Sequence, residues 1–306
     1  MIQIQRILCP TDFSDCSQRA LDHAIALAKW YDARVTLFHV SAPVPISAYA
    51  TVAPMMPSTL VAGENQNDVR HAMQQFASRD AATSASVDIE LGEGNAATEI
   101  VAKAAAAHSD LIVLGTHGRS GFERFMLGSV TEKVLRKAEC PVVTVPPRLA
   151  ASAAIPAMTF KRIVCAVDFS ECSLRALEYA MSIAQEANAL LTVLHVVEPM
   201  PNVPAEDDSP LLAMKTIKEY IAAAEEEGRA LLQKVIPDQV RAYCQVETVQ
   251  AIGKPYREIV RLATEQAADL IVLGVHGRGA VDLMFFGSTA QHVVRQAACP
   301  VLTLRT

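Results

Sequence analysis

The chain has 306 residues, 51% apolar and only 5% aromatic, with a formal charge of −6. That length suits two domains of ~150 residues, each able to bury a core built from Ala, Val, Ile and Leu. The acidic balance and the lack of any Lys/Arg tract exclude the basic stripe of a nucleic-acid binder.

The first six residues, Met1 to Arg6, lack the apolar stretch and small-residue cleavage site of a signal peptide, which predicts a cytoplasmic protein. Residues 4–10 form a short apolar run that reads as a buried strand. Ser14 is placed to cap a helix over residues 16–31, in which Ala20, Leu21, Ala24, Leu27 and Ala28 fall on one face. Residues 35–40 read as a second strand. Residues 35–63 carry no charge and are long enough for a membrane span, but Pro43, Pro45, Pro54 and Pro57 predict a strand followed by a loop. A helix near 67–80, a strand at 87–91 and a helix over 99–107 come next. The apolar run 110–115 has the pattern of a parallel strand buried on both faces. A helix over 128–138 and a strand at 141–145 complete the series. Strands alternating with helices predict an α/β fold with a doubly wound parallel sheet, which binds ligands at the carboxyl ends of its strands where strand order reverses.

The series then repeats. A shift of 156 aligns residues 6–40 with 162–196, with 17 identities in 35. A shift of 159 aligns 94–145 with 253–304, with 23 identities in 52. The middles, 41–93 and 197–252, share little, and the second is three residues longer. A period this long means tandem domains, here 1–146 and 161–306, joined by an Ala- and Pro-rich linker at 147–160.

Each repeat carries one glycine-rich motif. Gly115-Thr-His-Gly118 is followed after nine residues by Gly128-Ser129, and Gly274-Val-His-Gly277 after nine residues by Gly287-Ser288. The first two glycines let the backbone turn and a ligand approach closely. The third glycine and the serine open a helix, whose N-terminal N–H groups and dipole suit an anion. The plainer reading is a pair of turns and a cap. Identical spacing in both copies favours a phosphate site.

With an Asp ending the first strand and a terminal Cys140-Pro-Val142 strand, the motif resembles the universal stress protein family, in particular its ATP-binding branch. The resemblance spans nearly the whole chain, twice, as in a tandem member. It implies a five-stranded parallel sheet ordered 3-2-1-4-5 in each domain, which puts Asp12 and Gly115 across one crevice. It implies that Asp12 and the backbone at Thr11 and Val40 contact adenine or ribose. Gly115, Gly118, Gly128, Ser129, Val130 and Thr131 would surround ribose and phosphates. The matching residues are Val167, Asp168, Val196, Gly274, Gly277, Gly287, Ser288 and Thr289. Ala166 stands for Pro10 and Ala290 for Thr131, so the first site is expected to bind at least as tightly. The ligand implied is ATP, AMP or ADP, with Mg²⁺ on the phosphates. An unidentified protein partner, pairing of the two repeats through their last strands and a homodimer are further expectations.

Arg119 and Arg278 read either as phosphate partners or as solvated loop arginines. His117 and His276 read as hydrogen-bonding spacers. His39 and His195 have no second metal ligand at a recognisable spacing. Gly92-Glu-Gly-Asn-Ala-Ala97 imitates a dinucleotide fingerprint, but its first glycine aligns with Ala251. No Walker lysine and no catalytic triad is visible, so the leading expectation is a non-catalytic nucleotide-binding stress protein. The alternatives are a slow ATPase or phosphotransferase and a nucleotide-free, thiol-responsive interaction module. Cys9/Cys165, Cys16/Cys172 and Cys140/Cys299 recur as pairs. Cys16 and Cys172 fall in a first helical turn, where a dipole lowers a thiol pKa, although inherited small core residues are the favoured reading. Residues 43–61 read as a lid, a partner surface or a folded-back loop, and their acidic counterpart 198–212 differs.

Overall fold

Short apolar runs that bury both faces need helices on both sides, and the chain supplies them in alternation. The computed structural model describes residues 2–41, 66–78, 87–118, 127–147, 160–199, 210–277 and 286–305. It divides the chain into two compact units, Gln3–Pro147 and Thr159–Thr306.

In the first unit, β1 (Arg6–Pro10), α1 (Asp15–Tyr31) and β2 (Arg34–Ser41) precede α2 (Gln66–Ala77) and β3 (Val87–Glu93). Then come α3 (Ala96–Ala106), β4 (Leu111–Gly115), α4 (Ser129–Lys137) and β5 (Val142–Val145). The strands are all parallel in the order β3-β2-β1-β4-β5. Strand order therefore reverses between β1 and β4, which places the switch point there.

The second unit runs β6 (Arg162–Ala166), α5 (Glu171–Ala187), β7 (Leu190–Val197), α6 (Pro210–Val235), α7 (Asp238–Tyr243) and β8 (Gln245–Ile252). It ends with α8 (Pro255–Glu265), β9 (Leu270–Gly274), α9 (Ser288–Gln296) and β10 (Val301–Leu304). Its strands lie in the equivalent order β8-β7-β6-β9-β10, again parallel. The expected doubly wound α/β architecture is thus present in both repeats. Among the described residues no helix is long and apolar enough to cross a membrane.

The central strands β1 and β4 are buried almost throughout, whereas the edge strand β3 is mostly half-buried. Helix α1 lies flat on this sheet because Ala20 and Ala24 are fully covered and Ala28 nearly so. Ser14 accepts from Ser17 N–H to start the helix, and Asp32 ends it in the left-handed region at φ 53°. Asp110 binds the start of β1 to the start of β4, its Oδ2 accepting from Gln5 N–H at 2.8 Å and Arg6 N–H at 2.9 Å. Asp269 does the same for Lys161 and Arg162 at 2.8 and 2.9 Å.

Two local expectations are corrected, the start of α3 and the element-for-element match of the two repeats. Helix α3 begins at Ala96, ahead of the expected 99, because Asn95 caps it by accepting from Thr98 N–H. Gly94, which completed the imitation dinucleotide motif, holds φ +134°, and Gly253 holds +151°. Both are turn glycines ahead of a helix, in a conformation that side chains rarely adopt. The second repeat does not match the first element for element: α6 is 26 residues long against 12 in α2, and the short α7 is additional. Residues 43–61 lie outside the described residues, and 198–212 are described only at their two ends.

Candidate functional site

The loop after β1 is built around one strained residue. Phe13 sits at φ 64°, uncommon for a bulky side chain, and folds Asp12 back over the start of α1. Asp12 Oδ1 accepts from Ser14 N–H at 3.1 Å and from the Ser14 hydroxyl at 2.6 Å. The second repeat copies this: Phe169 is at φ 62°, and Asp168 Oδ1 accepts from Ser170 N–H at 3.0 Å and its hydroxyl at 2.6 Å. Each serine is therefore both helix cap and clamp on the aspartate.

The other carboxylate oxygen crosses the switch point. A Cβ on Gly118 would lie 2.5 Å from Asp12 Oδ2, and one on Gly277 2.5 Å from Asp168 Oδ2. At Gly115 a Cβ would meet Cys16 Sγ at 2.7 Å, and at Gly274 it would meet Cys172 Sγ at 2.8 Å. At Gly128 and Gly287 it would meet the carbonyls of Thr116 and Val275, at 3.1 and 2.5 Å. Among the described glycines only Gly94 and Gly253 have positive φ. The motif glycines thus serve close approach of the chain to itself, with aspartate, helix and carbonyl each entering the space of a missing side chain.

Gly128 and Gly287 are the N-caps of α4 and α9, without a side-chain cap, so Ser129 and Ser288 are the first helical residues. Both serines are exposed, and Val130 and Thr289 are half-buried beside them. Thr131 is buried, and its hydroxyl donates to the Gly115 carbonyl at 2.8 Å. The Thr131/Ala290 difference therefore removes a tie between helix and strand from the second repeat. Arg119 and Arg278 lie outside the described residues.

Thr11 and Val167 end the buried course of β1 and β6. The Thr11 N–H donates to the Phe38 carbonyl and the Val167 N–H to the Leu194 carbonyl, both at 2.9 Å. The carbonyls of Thr11 and Val167 accept from His39 Nδ1 at 2.8 Å and His195 Nδ1 at 2.9 Å. These bonds put the protons on Nδ1 and orient both rings, which also pack on Phe13 and Phe169 at 4.7 and 4.6 Å. Val40 and Val196 follow on the neighbouring strands, paired with Gly92 and Ala251. Among the described residues no group of three His, Cys, Asp or Glu side chains could hold a metal ion.

In the second unit these positions enclose one crevice of about 800 Å³. Val167, Asp168 and Val196 line it from β6 and β7, and Gly274 and Gly277 from β9 and its loop. Gly287, Ser288 and Thr289 line it from the start of α9. All eight described positions predicted for this repeat therefore meet at one opening. The volume lies within the range of small-molecule sites. One wall was not foreseen. Helix α6 contributes Tyr220, Ala223, Ala224, Glu227, Gly228 and Leu231, at the three- and four-residue spacing of one helical face. That spacing of small residues was visible in the sequence, but its destination was not.

Six of the seven cysteines are buried packing residues, and Cys140 is half-buried. Cys16 Sγ donates to the Val145 carbonyl at 3.5 Å and Cys172 Sγ to the Leu304 carbonyl at 3.0 Å, locking the first helical turn to the last strand of each unit. Burial pushes the Cys9 and Cys165 thiols far up, and Cys299 up to about 12. Cys140 is only partly covered, yet burial raises it from 9.0 to about 11. Because the thiolate is the reactive form, native Cys140 should alkylate about a hundredfold more slowly at pH 8 than an ordinary thiol. Timed iodoacetamide labelling with peptide mapping checks this, with the urea-unfolded chain as reference. Labelling of Cys140 at the unfolded rate would contradict its burial.

A model of the Universal stress protein family matches residues 3–146 and again 159–305. A universal stress protein of Mycolicibacterium smegmatis is 28% identical over 306 residues, covering 98% of this chain and 96% of its own length. One from Methanocaldococcus jannaschii is 36% identical over 141 residues, which cover 46% of this chain and 81% of that protein. The crystal structure of a universal stress protein from Archaeoglobus fulgidus aligns over 99% of this chain and 97% of its own, with a TM-score of 0.66 and 23% identity.

Proposed function

This chain belongs to the universal stress protein family, and on that premise we propose that each repeat binds an adenine nucleotide and passes its presence on as a change of conformation, without turning it over. One observation carries the reading: all eight described positions predicted for the second repeat line a single crevice of about 800 Å³ at the switch point. The N-terminus of α9 lines it too, with its N–H groups and positive dipole end suited to phosphate. Gly277 lacks the side chain that would separate ligand and loop from Asp168. These features fit a nucleotide, with base and ribose toward Val167 and Val196 and phosphates toward Ser288 and Thr289. Mg²⁺ would accompany the phosphates as a counter-charge.

Binding without turnover is supported by the state of Asp168. Its Oδ1 is engaged as a clamp, accepting two hydrogen bonds from Ser170. A general base needs a carboxylate free to accept a proton from the attacking group.

The test is to denature freshly purified protein, identify any released nucleotide by mass, and titrate the stripped chain with ATP, ADP and AMP by calorimetry. The expected outcome is a released adenine nucleotide, or micromolar or tighter binding of at least one of the three. No release and no binding heat from any of them would remove the proposal.

A further inference from the structure

We infer that Glu227 makes the second site a reader of the amino group on the ligand's base; this rests on the nucleotide reading above. The inference starts from what holds α6 in place. Gly228 packs directly on β7 and β8: a Cβ there would lie 2.8 Å from His195 Cδ2 and 2.5 Å from Gln250 Nε2. The same Gln250 amide donates to the Glu225 carbonyl at 2.9 Å. Glu227 lies between these two pinned residues, so its backbone is positioned relative to the carboxyl end of β7. Both Glu227 and Gly228 line the crevice, as do His195 and Val196 beneath them.

A carboxylate on that wall is an acceptor only, and an anionic one. It favours a base edge that presents N–H donors and gains nothing from an edge without them. The neighbouring Ala223 and Ala224, small residues that also line the crevice, leave room for a planar base beside it. The corresponding helix of the first unit is different. The residues that α2 buries are Val69, Met73 and Phe76, all apolar, and Phe76 packs edge-on against Phe13 at 5.6 Å. Among the described residues the two repeats thus share the glycine motif and the aspartate clamp but differ in how this helix packs on the sheet.

The experiment uses the full chain carrying Gly118→Asp, so that the second site is read. ATP and purine riboside triphosphate, which lacks only the 6-amino group, are titrated into it with and without Glu227→Ala. The expected preference for ATP is about tenfold, since Glu227 is exposed to competing water. Glu227→Ala should bring the ratio close to one by weakening ATP alone, and Glu227→Gln, which keeps a neutral acceptor, should restore part of it. A ratio unchanged by Glu227→Ala overturns this inference while leaving nucleotide binding intact. Failure of both ligands to bind the parent would overturn the nucleotide reading and this one with it.

Discussion

Gly274→Ala is expected to destabilise the second unit by about 1–3 kcal/mol, the cost of forcing a methyl group into a packed site. The added Cβ would lie 2.8 Å from Cys172 Sγ, but also 2.9 Å from the Cys172 carbonyl carbon and 3.0 Å from Ser173 N. The last two are backbone atoms in the first turn of α5 and cannot rotate away. Trimming the sulfur with Cys172→Ala should therefore recover only part of the loss, which separates a helix-to-strand clash from a side-chain one. Gly115→Ala should act likewise in the first unit, where Cys16 Sγ is at 2.7 Å and the Cys16 carbonyl carbon at 3.1 Å. Urea unfolding reads both variants: far-UV circular dichroism follows Gly274→Ala, and fluorescence of Trp30, the single tryptophan, follows Gly115→Ala. If Gly274→Ala unfolds at the parent midpoint, the glycine is not held by packing and its role must lie with the ligand.

That distinction marks where sequence reasoning reached and where it stopped. The order of strands and helices was legible because buried parallel strands leave unbroken apolar runs, as in residues 111–114, and because the chain states its pattern twice. The placing of Asp12 and Gly115 across one crevice followed from the strand order that the family resemblance implies. The reason for the glycines was harder to read. A glycine needed for close approach and one needed for a left-handed turn look alike in sequence, yet Gly277 is the first kind and Gly253 the second. Thr131 gives a similar lesson: a hydroxyl beside a phosphate motif suggests a ligand donor, but this one donates to the Gly115 carbonyl. The α6 wall stayed hidden because a helix is assigned by its own periodicity, while what it covers depends on residues far along the chain. Gly228 opposite His195 is a contact of this sort.

Gly277→Asp should weaken ATP binding at the second site at least a hundredfold, about 2.7 kcal/mol. Two effects add. Any Cβ at this position lies 2.5 Å from Asp168 Oδ2, so the Asp168 carboxylate must leave its place at the switch point. The new carboxylate then sets a second negative charge beside the first, in the crevice proposed to receive an anion. Gly277→Ala carries only the steric part and should lose less. The second charge also raises the pKa of the pair, so the loss should shrink as pH falls through the carboxylate range, whereas that of Gly277→Ala should not. Calorimetry with ATP gives the reading directly: a stoichiometry near two in the parent should fall toward one in Gly277→Asp and in Gly118→Asp, and vanish in the double variant. If Gly277→Asp binds two equivalents with parental affinity, the crevice of the second unit is not the nucleotide site. A loss in Gly277→Asp that is matched by Gly277→Ala would instead assign the whole effect to displacement of Asp168, leaving no direct contribution from charge.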